Sequence, residues 1–65
     1  MEPQEMVHQV YHKTLPLWIY ESEHDANVTA TWFAWRCKVD VSEMGIVSFS
    51  KASMKPWMKI SKLND

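Results

Sequence analysis

Sixty-five residues, 46% hydrophobic and 23% charged, suffice for one small folded domain (residues 1–65) and are too few for a substrate cleft between two lobes. That balance excludes disordered, collagen-like and low-complexity classes, and a lone cysteine excludes an intrachain disulfide. The net charge of −1 excludes a polycation and conceals an asymmetry: residues 1–43 carry three basic groups against seven acidic ones, a net of −4, and residues 44–65 carry four lysines against Asp65, a net of +3.

In chain order, residues 2–13 read as a short helix. Pro3 suits a first helical position, Glu2 and Glu5 suit the positive end of the dipole, and Met6, Val7, Val10 and Tyr11 fall on one helical face. Residues 17–21 are apolar and aromatic and read as a strand that starts after Pro16, on a sheet edge. Residues 22–27 are polar turn material. Residues 28–41 form a long β-branched and aromatic segment, expected as the central strand. Residues 42–45 make the next turn, with Gly45 free to take a positive φ, and residues 46–50 form a third strand. The tail, residues 51–65, reads as a short helix capped by Ser53, with Met54, Trp57 and Met58 closing the core, the alternative being an extended segment that points Met54, Pro56, Met58 and Ile60 one way. The expected fold is α+β: a three-stranded antiparallel β-meander with N-terminal and C-terminal helices.

The first residues are acidic where a signal peptide is basic, and the longest apolar runs, 15–20 and 31–35, fall far short of the roughly 20 residues that cross a bilayer. A cytoplasmic location without a membrane partner is the expectation.

Successive side chains of a strand alternate sides. On a strand over 28–41, Phe33, Trp35, Cys37 and Val39 would share the core face, making Cys37 a buried thiol. Val28, Ala30, Trp32, Ala34, Arg36 and Lys38 would share the other face. Trp32 then stands beside small alanines and two cations. Packed under the N-terminal helix it is a second core layer over Ala30 and Ala34. Uncovered, it is an aromatic anchor with adjacent Arg and Lys, the composition that carries binding energy at protein interfaces. Lys55, Trp57 and Lys59 repeat the cation–aromatic interleaving in the tail.

These six residues, Trp32, Arg36, Lys38, Lys55, Trp57 and Lys59, form the candidate binding site. The occupant expected of it is another protein, held non-catalytically by a small accessory or inhibitor-type chain of the kind that phages and mobile elements encode. The alternative is a nucleic-acid-binding module, with bases stacked on the tryptophans and phosphates held by the cations, although a pI near 6.3 is low for that class. A homodimer through the Trp32 face is a third occupant of the same surface.

No catalytic motif supports an enzyme, and a single glycine excludes a phosphate-cradling loop. His8 and His12, four apart, resemble a helical metal pair but lack further ligands, so neither a metal nor another cofactor is expected.

Overall fold

The computed structural model describes residues 5–62. Its regular elements are strands β1 (Met6–His12), β2 (Leu15–Tyr20) and β3 (Met44–Ser50), with one helix, α1 (Glu23–Cys37), between β2 and β3. β1 and β2 form a hairpin whose two-residue loop places Lys13 at φ 57°. The chain then crosses the sheet as α1 and returns as β3 on the other side of β1. All neighbours are antiparallel and the order is β2-β1-β3, so the sheet is three-stranded and antiparallel but not a meander.

The central strand is therefore β1, not residues 28–41, and the helix expected over 2–13 is replaced by that strand, residues 2–4 of the expectation lying outside the described residues. The reason is double-sided burial. Val7 and Val10 are both fully buried and point to opposite faces of the sheet. A strand covered on both sides loses its period-two alternation, and the resulting 6, 7, 10, 11 pattern imitates a helical stripe.

α1 forms because its ends are capped and its inner face is small. The Ser22 hydroxyl accepts from the Asp25 N–H at 3.3 Å, and Glu23 and Asp25 sit in the first turn where the helix dipole favours negative charge. Lys38 ends the helix in the left-handed conformation (φ 57°, ψ 41°), its N–H reaching the carbonyls of Ala34 and Trp35. Ala26, Ala30 and Ala34 recur every four residues and are all buried against the sheet. Their short side chains let the helix settle on Val10 and Tyr20, with Leu17, Trp18, Met44 and Ile46 packed around that cluster. Phe33 wedges at the rim, 5.7 Å from Trp18 edge-on and 5.6 Å from His12.

The tail is not a helix. A 3-10 turn, Lys51–Ser53, ends β3, and the chain then runs irregularly with one tight turn. The Met58 N–H donates to the Lys55 carbonyl at 3.0 Å, with Pro56 at the second turn position that its fixed φ favours. Trp57, Met58, Lys59 and Ser61 lie against Gln9, Tyr11 and Ile19, which project from the sheet face away from α1. The Ser61 N–H donates to the Ile19 carbonyl at 2.7 Å, fastening the tail to the outer edge of β2. Ile19, which is buried, lies beside this crossing on a face the helix does not reach.

Gly45 has no positive φ and lies within β3 instead of serving a turn; among the described residues the two left-handed positions are Lys13 and Lys38. No helix among the described residues is long and apolar enough to cross a membrane.

Candidate binding surface

Two residues along an α-helix is a rotation of about 200°, so what lies two positions from the alanine stripe points away from the sheet. Val28 is two from Ala26 and Ala30, and Trp32 is two from Ala30 and Ala34. Trp35, a turn further on, joins them. Their exposures are 43%, 50% and 74%. With His24 and Thr31 they line one shallow, mainly apolar surface along the outside of α1. Trp35 also borders a second depression with Arg36 and Lys38 at the C-terminal end of the helix, where the dipole favours cations.

Three of the expected site residues, Trp32, Arg36 and Lys38, thus lie on α1 and its cap, Trp32 in the first depression and the two cations in the second, with Trp35 between them. The other three do not join them. Lys55, Trp57 and Lys59 belong to the tail turn on the opposite side of the sheet, where Trp57 is 76% exposed at the tip. The tail's core-closing role falls to Met54, Met58 and Ile60, which are half-buried.

Trp35, expected in the core with Phe33, is a surface residue, and Cys37, expected as a buried thiol, is exposed at the helix end. Trp35 is the surface aromatic that the strand reading misplaced, while Val28 keeps the company of Trp32 that it had there. The Ser22–Asp25 capping pair and the alanine spacing were the signals that locate Trp35.

Elsewhere, part of the charge is paired inside the fold. Lys51 lies 3.3 Å from Glu21 and 3.4 Å from Glu5, and these two carboxylates, Glu21 foremost, hold its ammonium above the usual lysine range. Lys13 reaches Glu43 at 3.7 Å, and the His12 Nε2–H donates to the same carboxylate at 3.0 Å. The basic second half of the sequence therefore meets part of the acidic first half within one molecule. Among the described residues, Arg36, Lys38, Lys55 and Lys59 take part in no ion pair.

His8 and His12 share a face of β1, but four residues of strand separate them by about 13 Å. His8 is engaged with the Ser48 hydroxyl at 2.7 Å, and no group of three or more potential metal ligands occurs among the described residues.

Compared with protein-family models, curated proteins and solved structures, the chain matches none.

Proposed function

We propose that this chain is a small non-catalytic protein-binding domain that acts sterically through the outer surface of α1. The observation that carries this reading is the orientation of the helix: it turns three alanines to the sheet and leaves Val28, Trp32 and Trp35 in water. Tryptophan offers a large rigid contact area with few rotors to immobilise, and a cation beside it adds directional hydrogen bonding. Arg36, one turn after Trp32, and Lys38 at the cap supply the polar rim that such anchors need. An accessory or inhibitor-type role in the cytoplasm, as for proteins that phages and mobile elements encode, extends the same reading: the helix would occupy a partner's working surface.

The nucleic-acid alternative draws on the same tryptophans and on Lys55, Trp57 and Lys59. It has less support, because α1 occupies one face of the sheet and the tail lies over part of the other, which leaves less of the sheet for stacked bases.

The test is a photo-crosslinker, benzoylphenylalanine, placed at Val28 in the full chain within its source cells. A discrete crosslinked protein that disappears when Trp32 and Trp35 are both changed to Ser is the expected result. A nuclease-sensitive crosslink, or none, overturns the reading. So does a gel shift with DNA or RNA at about 50 mM salt that fades as salt rises.

A further inference from the structure

β3 lies at one edge of the sheet, and the two edges are treated differently. The β2 edge carries Pro16, a register irregularity at Leu17 and the Ser61–Ile19 hydrogen bond, each a device that keeps a foreign strand away. β3 has none of these. Its seven residues, MGIVSFS, hold no charge and no proline, and its pairing with β1 runs without irregularity from Met44 to Ser50.

Which backbone groups face outward follows from the ladder. The Lys13 N–H donates to the Glu43 carbonyl at 2.8 Å and the Lys51 N–H to the Glu5 carbonyl at 2.9 Å, bracketing the β1–β3 pairing at both ends. Hydrogen-bonded pairs recur every second residue, so Gly45, Val47 and Phe49 direct their backbone groups to β1. Ile46 and Ser48 direct theirs away from it, and among the described residues no hydrogen bond reaches them.

We infer that this edge is the contact for a second copy of the same chain: β3 pairs antiparallel with its counterpart about a two-fold axis at Val47, giving one continuous six-stranded sheet. Three features favour a second copy over an unrelated strand. An antiparallel self-pairing centred on Val47 sets Ile46 against the partner's Ser48, so the outward donors and acceptors meet in register. Val47, 51% exposed in the single chain, meets its own copy as a close, non-hydrogen-bonded β-branched pair on the axis. The ends are of unlike charge: Glu43 precedes the strand and Lys51 follows it, so the two-fold sets each, already paired within its own chain, across the seam from the other. Only position 47 faces its own copy across the axis, and an uncharged valine stands there. The inference is independent of the proposed function, since the axis leaves the outer face of α1 uncovered.

Sedimentation equilibrium of the full chain at high micromolar concentration should give twice 7.7 kDa. Val47→Lys and Val47→Glu, each checked for an unchanged circular dichroism spectrum, should sediment as single chains, because like charges then meet on the axis. Mixed in equal amounts they should recover the doubled mass. In a sample of labelled and unlabelled wild-type chains, an isotope-filtered NOE between the Hα protons of Gly45 and Phe49 is expected. Four residues of one strand separate them by about 13 Å, so that contact can only be between copies. A wild-type chain that stays at 7.7 kDa overturns the inference. So does a doubled mass that both charged variants retain, or one lost on Trp32→Ser with Trp35→Ser but kept in Val47→Lys.

Discussion

Thr29 is the one buried polar residue among the described residues, 4% exposed, and its hydroxyl has no hydrogen-bond partner. An unpaired hydroxyl taken out of water costs about 1–3 kcal/mol. Thr29→Val replaces it with a methyl group of nearly the same shape, in a helix where the two β-branched residues have similar propensity. Removing the orphaned oxygen should therefore stabilise the fold by about 1 kcal/mol. In a domain of this size that raises Tm by roughly 4–8 °C. Thr29→Ser is the opposite perturbation: it keeps the hydroxyl and deletes a buried methyl, and should lose about 1 kcal/mol. Urea titration followed by circular dichroism, with equal m-values for all three proteins, measures both changes. A Thr29→Val protein less stable than wild type would refute the reasoning, since it would mean that the hydroxyl has a hydrogen bond to lose.

The two sides of α1 should respond oppositely to substitution. Ala30→Leu forces a larger side chain between helix and sheet and should cost about 1–3 kcal/mol in urea melts, whereas Trp35→Ser, on the outer face, should shift stability by no more than about 0.5 kcal/mol. Lys38 holds a left-handed conformation that a Cβ disfavours, so Lys38→Gly should raise stability by about 0.5–1 kcal/mol, read as a higher Tm. Asp40 caps the 3-10 turn Val41–Glu43 by accepting from the Ser42 N–H at 2.9 Å, and that bond, with the Ser42 side chain second, holds its carboxyl below the usual 3.8. A depressed carboxylate contributes stability above its unfolded pKa and loses it as pH falls through the folded value. Between about pH 5 and pH 3, wild type should therefore lose more urea resistance than Asp40→Asn, which keeps a cap that does not titrate.

Both outer strands and the α+β class were legible in the sequence, because residues 17–21 and 46–50 are short apolar runs bounded by turn formers, and such runs read the same in most folds. The helix and the central strand were exchanged, for one reason seen from two sides. Residues 28–35 have strand composition because the helix they form buries its alanines and shows its aromatic residues to water, so propensity followed the exposed face. Residues 6–12 lost strand alternation because α1 covers one face of β1 and the tail lies over part of the other.

The candidate site survived that exchange in part. A spacing of four returns a side chain to the same side of a strand and of a helix, so Trp32 and Arg36 share a side under either reading. A spacing of three does not. Trp35 lies across a strand from Trp32 but beside it on a helix, and the tertiary choice of helix moved it from expected core to exposed surface. The sequence by itself determined which residues are large, aromatic and cationic, and which of them keep company at even spacing. The packing of Ala26 and Ala30 on Val10 and Tyr20 decided which of them face water, because small side chains let that helix approach the sheet.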